Sequence, residues 1–212
     1  MQNKKGFIFD FDGVIIDTEK YHYKSWAGAF ASVGFELSES EYQPLKSIGR
    51  DYIMTYVEKR DKIAFTAEQK EMIVIKKDEQ YQEFKKGLST ADAVAGVFEY
   101  IDFLKTQGVK TAVASSSIEA GNIIREFKLQ DKFDVVCDGT FGIRRKPQPD
   151  MFLYCAKKLG LKSCDCVVFE DSGAGVKASE NAGMDCVYIG ETENHNANLT
   201  IENFEGFRQM EF

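Results

Sequence analysis

The chain reads as an α/β protein, a doubly wound parallel sheet with a small helical unit inserted near its start. Three features predict this. An apolar run at 7–9, strand-like and buried in character, ends in Asp10-Phe11-Asp12-Gly13-Val14. Residues from about 19 to 86 then carry helical rather than strand patterns. From about residue 91 onward strand and helix patterns alternate, which implies parallel strands joined by right-handed crossovers. The expected division is 1–16 and 88–212 for the sheet unit and 17–87 for the helical insert.

Taken in order, the first strand should place Asp10 and Asp12 on one side at its carboxyl end, because side chains alternate along a strand. Gly13 permits a sharp turn there. The insert is expected to hold helices at about 19–34, 39–46, 49–60 and 67–86. Gly34 is a candidate C-cap for the first. Ser38 with Glu41, and Thr66 with Gln69, have the spacing of capping boxes for the second and fourth. The alternating part predicts a helix at 91–107, a strand at 109–114, a helix at 119–127 and a strand at 135–137. A helix opened by Pro149 and running to about 159 follows, then a strand at 166–169. The helix at 174–181 is stopped by Gly183, and a strand follows at 186–189. Residues 191–198 read as a loop, and 200–212 as a last strand and a short helix.

Composition excludes several functions. The formal net charge is −7, from 27 Lys and Arg against 34 Asp and Glu, with no basic stripe, so nucleic acid is not the expected partner. No stretch approaches the roughly 18 apolar residues of a membrane span, and residues 1–5 lead into a strand without the pattern of a signal peptide. The five cysteines include no CxxC pair, which suits reduced thiols in a cytoplasmic protein.

Four loops fall at the carboxyl ends of expected strands, where open α/β sheets bind ligands. They carry Asp10 and Asp12; Ser115, Ser116 and Ser117; Lys146, followed by Pro147; and Glu170-Asp171-Ser172-Gly173. Carboxylates, hydroxyls and one ammonium group are the parts for phosphoryl transfer through a carboxylate nucleophile with Mg2+, an ion that prefers oxygen ligands. Carboxylates this close repel unless a cation lies among them.

In order and spacing, these four motifs resemble those of the haloacid dehalogenase superfamily, whose core is Rossmann-like. The resemblance implies Asp10 as nucleophile and Asp12 as general acid and base. It implies Ser115 and Lys146 as ligands of the transferring phosphoryl group. Mg2+ would be held by Asp10, Glu170, Asp171 and the backbone carbonyl of Asp12. A helical insert directly after the first motif resembles the cap of one subclass. Within that subclass, Thr18, His22, Lys46, Arg50 and Lys77 resemble cap residues of the β-phosphoglucomutase family, with Ser116 and Ser117 completing the substrate set. Trp26 reads as core packing. The resemblance implies a sugar phosphomutase taking β-glucose 1-phosphate to glucose 6-phosphate, with a phosphatase of small sugar-phosphate monoesters as the alternative. A cytoplasmic monomer whose partner is a sugar phosphate is expected. One departure stands out: Ile118-Glu119 occupies the place where that mutase family tends to carry Lys-Asn for the phosphate that is not transferred. Arg50 with Ser117 would then suffice, or Arg144 and Arg145 would contribute, or the substrate would carry one phosphate.

Overall fold

The computed structural model describes residues 4–194 and 196–208; positions 1–3 and the end of the helix expected within 200–212 lie outside them. A six-stranded sheet is built from β1 (Gly6–Phe9), β2 (Lys110–Ala114), β3 (Val135–Cys137), β4 (Cys166–Glu170), β5 (Asp185–Ile189) and β6 (Leu199–Ile201). Its order is β3-β2-β1-β4-β5-β6, and every neighbouring pair is parallel. The first strand is thus central, flanked by β2 and β4, where the winding reverses and the carboxyl ends open a crevice.

The period of two assigns each strand residue to a face. Phe7, Phe9, Val113, Val167 and Phe169 point to the side covered by α5 (Val97–Thr106) and α6 (Ala120–Glu126). Ile8, Ala112, Ala114, Cys166 and Val168 point to the side covered by α7 (Asp150–Leu159) and α8 (Gly173–Ala182). Both faces are dry, which explains the continuous apolar character of the strands. The first face is aromatic: the Phe9 and Phe169 rings stack with centroids 4.7 Å apart, and Tyr100 meets both edge-on.

Between β1 and β2 lie α1 (Glu19–Ala31), α2 (Glu39–Tyr42), α3 (Arg50–Asp61) and α4 (Ala67–Lys85). They bury an apolar cluster of their own, including Trp26, Phe30, Val57, Phe65 and Ile73. Both expected capping boxes form, Ser38 with Glu41 and Thr66 with Gln69.

Some boundaries differ from expectation. The first insert helix ends at Ala31, and Gly34 instead forms the left-handed turn beyond it, at φ 86°. No helix begins at 91. Ser89 and Asp92 cap each other around a short 3-10 turn, and α5 starts only after Gly96. An antiparallel bridge from Ile16 to Ala93 ties that stretch down. The chain leaves β1 at Phe9, so Asp10 and Asp12 lie just past the strand rather than on it. After β6, residues 202–208 form turns and bends, not a helix. All five cysteines are free. Among the described residues no helix is long and apolar enough to cross a membrane.

Phe9 is fully buried and touches Phe169, Tyr100, Phe133 and Phe204. Phe9→Ala should therefore destabilise the protein by about 3–5 kcal/mol, through lost burial plus a residual cavity. Chemical denaturation of the two proteins measures it.

Candidate active site

Asp10 continues the central strand by one residue, its N–H donating to the Phe169 carbonyl at 2.9 Å. Its Oδ1 accepts from the Phe11 N–H at 2.8 Å and faces Lys146 Nζ at 2.9 Å. Lys146, fully buried, also donates to Glu170. The other oxygen of Glu170 accepts from the Ser172 N–H and hydroxyl at 3.0 and 2.9 Å. Backbone crowds this group: a Cβ on Gly175 would stand 1.9 Å from the Glu170 carboxyl carbon.

Asp10, Glu170 and Asp171 each offer a carboxylate oxygen, all within 4.8 Å of one another. Asp171 Oδ2 accepts from Lys46 Nζ at 2.8 Å, while its buried Oδ1 has no partner. Burial and then repulsion by Glu170 raise the pKa of Asp10 well above the ordinary carboxylate range, against the pull of Lys146. Burial pushes Asp171 up to about 6 despite Lys46. An orphaned oxygen in an all-oxygen cluster that resists ionisation fits a hard divalent cation, which would supply the missing positive charge. Gly13 closes the cluster on one side. Its φ is 77°, and a Cβ there would come within 2.3 Å of Asp171 Oδ2, so only glycine suits the turn.

Asp12 is handled differently. Its Oδ1 accepts from the Thr18 hydroxyl at 2.5 Å and from His22 Nε2–H at 3.2 Å, and its Oδ2 from the Ser115 hydroxyl at 3.3 Å. Burial opposes its ionisation, but His22 and the hydrogen bonds from His22, Thr18 and Ser115 outweigh it and hold the pKa below the usual value. Thr18 is the N-cap residue of α1 and His22 lies one turn inside it, so both belong to the helical insert. The His22 ring is in turn stacked on Tyr81 of α4, with centroids 4.3 Å apart.

A cavity of about 200 Å³ lies between the insert and the sheet edge. Asp12, His22, Arg50, Lys77, Ser116 and Ser117 are among its lining residues. Arg50 makes a two-pronged contact with Asp78 at 2.8 and 2.7 Å. Lys77 sits 4.6 Å above the Tyr81 ring, and its pKa is lowered by burial first and then by Arg50. Lys46 does not line the cavity, because its ammonium is on Asp171. Nor does it share a helix with Arg50. It follows a 3-10 turn, Gln43–Leu45, and Ser47 in the left-handed region (φ 61°) breaks the chain before α3 begins. Glu119 lines the cavity, but Lys85 of α4 holds its carboxylate at 3.0 Å.

Sequence reasoning missed Glu19, Asp78 and Tyr42. Glu19 reads as an ordinary acid in a first helical turn, yet it accepts from the Tyr42 hydroxyl at 3.1 Å and lines the cavity. Burial, then Asp171, push its pKa up to about 8. Asp78 reads as a surface charge on α4, and only the tertiary fold reveals Arg50 as its partner.

A fold with its acidic cluster at the end of a central parallel strand defines a class, and comparison with known proteins gives the family. The chain belongs to the haloacid dehalogenase-like hydrolases, whose family profile matches residues 7–189. It is 32% identical over 191 residues to the β-phosphoglucomutase of Bacillus subtilis, covering 88% of this chain and 84% of that one. It is 29% identical over 187 residues to a phosphorylated carbohydrates phosphatase of Thermotoga maritima, covering 85% and 82%. The crystal structure of a β-phosphoglucomutase from Clostridium difficile superposes with a TM-score of 0.88 at 29% identity, over 97% of this chain and 93% of that one. These relatives are phosphoryl-transfer enzymes of both kinds, mutase and phosphatase.

The Glu19 pKa fixes a sign. With its folded value near 8, above that of the unfolded chain, Glu19 stays protonated in the folded state where the unfolded chain has already released the proton. Stability therefore falls as pH rises from about 4.5 to about 8. Glu19→Gln removes this contribution, so the variant should gain stability relative to the parent across that window. Thermal melts of both proteins between pH 5 and 8.5 test it; a pH-independent difference contradicts it.

Proposed function

We propose that this protein is a Mg2+-dependent sugar phosphomutase working through an aspartyl phosphate on Asp10, with β-glucose 1-phosphate and glucose 6-phosphate as its substrate and product. One observation carries the choice. The acid–base carboxylate, Asp12, is held jointly by Ser115 of the sheet unit and by Thr18 and His22 of the insert. If residues 17–87 act as a cap, its closure and the readiness of Asp12 are one event.

The steps follow from the chain's own groups. The ionised Asp12 takes the proton from an attacking sugar hydroxyl, whose oxygen bonds to phosphorus as the bond from phosphorus to the Asp10 carboxylate breaks. In the return transfer Asp10 Oδ attacks the other phosphate of the bisphosphate, and Asp12 gives its proton to the departing sugar oxygen. Lys146 offsets charge on Asp10 and the transferred group. Ser115 and Ser116 hydrogen-bond its oxygens. Arg50, Lys77 and Ser117 bind the remainder of the substrate, and Lys46 holds Asp171 in place. Asp10, Glu170 and Asp171 would hold Mg2+, which when bound supplies positive charge against the phosphoryl oxygens. The closed insert excludes water so that a hydroxyl, not solvent, receives the phosphoryl group.

One observation favours a second reading. Glu119, a carboxylate, lines the cavity, as suits a phosphatase of sugar-phosphate monoesters with water as acceptor. Incubation with β-glucose 1-phosphate, Mg2+ and a bisphosphate primer separates the two: glucose 6-phosphate without equivalent free phosphate supports the mutase, and free phosphate alone supports the phosphatase.

Asp10→Asn, nearly isosteric and uncharged, should abolish hydroxylamine-sensitive phosphate labelling of the protein while leaving it folded. EDTA should stop turnover and added Mg2+ restore it; full activity in excess chelator contradicts the metal assignment. His22→Ala removes one hydrogen bond to a charged group, so the ratio of transfer to hydrolysis should fall about tenfold or more, read from phosphoenzyme partitioning between water and a sugar phosphate.

A further inference from the structure

Arg145 precedes Lys146 in the loop between β3 and α7 and is half-buried. It lines the cavity beside Ser47, Gly49, Arg50, Ser116 and Ser117. Its Cδ and Nη1 lie 3.5 and 3.6 Å from where a Cβ on Gly49 would stand, so the side chain reaches from the sheet unit to the residue that opens α3. The other lysine and arginine side chains lining the cavity each have a carboxylate beside them. Arg50 is forked onto Asp78, Lys77 lies 3.6 Å from the same carboxylate, and Glu119 is held by Lys85. The neighbouring Arg144 is directed elsewhere, exposed and 2.8 Å from Asp150. Among the described residues lining the cavity, Arg145 is the cation without a carboxylate partner.

A guanidinium presents a fork of donors that matches two oxygens of a phosphate. Lys146, the next residue, contacts Asp10. Adjacent residues of one loop thus serve two places, the nucleophile and the open cavity. We propose that Arg145 is a specificity-determining residue that binds the phosphate which is not transferred, selecting substrates with a second anionic group on the far side of the sugar. This rests on the phosphoryl-transfer reading above and extends it, since the second phosphate is gripped from the sheet unit as well as from the insert. The Arg145 side chain spans both units, so the bound phosphate also draws them together. Ser47 and Ser117 also line the cavity.

The test compares kcat/KM for a hexose 1,6-bisphosphate with that for p-nitrophenyl phosphate, which carries one phosphate, in the full chain with Mg2+. In Arg145→Ala the ratio of the two should fall about 30-fold or more, the loss expected on removing one desolvated charge partner. The loss should appear chiefly in KM, as for an interaction made equally in ground and transition states. Arg145→Lys, which keeps the charge but not the fork, should recover part of it, and Arg144→Ala should leave the ratio unmoved. An unchanged ratio in Arg145→Ala, whether both activities persist or both fall together, overturns the proposal; so does an equal fall in Arg144→Ala. If the parent protein transfers phosphate from neither substrate, the phosphoryl-transfer reading itself fails. If the parent turns over both and only the ratio is insensitive, Arg145 alone is misassigned.

Discussion

Four acidic residues, Asp10, Asp12, Glu170 and Asp171, are buried together at one edge of the sheet, none more than 6% exposed. Taking such charges from water costs several kcal/mol each unless they are paired. Much of the rest of the structure answers that constraint. Lys146 comes from the loop before α7 to lie on Asp10 and Glu170. Ser172 turns both its N–H and its hydroxyl onto Glu170. Lys46 and His22 come from the insert to Asp171 and Asp12. The helical insert is therefore part of the electrostatic closure of the site as well as its roof. What these lysines and hydrogen-bond donors leave over, an orphaned oxygen on Asp171 and the suppressed ionisation of Asp10, is the share that a divalent ion would take.

The same arrangement separates two carboxylates only two residues apart. Asp10 faces a lysine, but burial first, and then Glu170, Asp12 and Asp171, outweigh it, and its pKa rises. Asp12 is equally enclosed, yet every polar contact given to it comes from a donor, and its pKa falls. Pairs of titratable groups driven apart by their surroundings are how one site runs both acid–base and nucleophilic chemistry. Two of the three donors on Asp12 belong to α1 or its N-cap, so moving that helix would return Asp12 to a costlier, less ionised state. The coupling needs no relay, because α1 and its N-cap touch Asp12 directly.

Much of this was legible in the residues. Strands buried on both faces announce themselves as apolar runs, and the loops at their carboxyl ends had to converge once the sheet was parallel. The capping boxes were readable because both partners lie within one turn. What failed were features decided over longer distances. The late start of α5 follows from the pairing of Ser89 with Asp92 and the bridge from Ile16 to Ala93, neither implied by a periodic pattern that runs through 91–107. Lys46 and Arg50 are four residues apart, as on a helix, but Ser47 and Gly49 both adopt positive φ and turn the two side chains to different carboxylates. Glu19 and Asp78 carry no local mark at all, since an acidic residue on a helix reads as a solvated face until its tertiary partner is known.

The two kinds of ion pair in the site differ in what a ligand can do to them. Lys146, Asp10 and Glu170 are sealed from water, so parting them would strand a buried charge, and they act as fixed structure. Arg50 and Asp78 are 27% and 41% exposed at their side chains, where an ion pair is worth about 0–1 kcal/mol. Parting Arg50 from Asp78 would therefore cost little and leave the carboxylate facing solvent. The Arg50–Asp78 pair is thus the one that can exchange partners, while the sealed pairs beneath hold Asp10 in place.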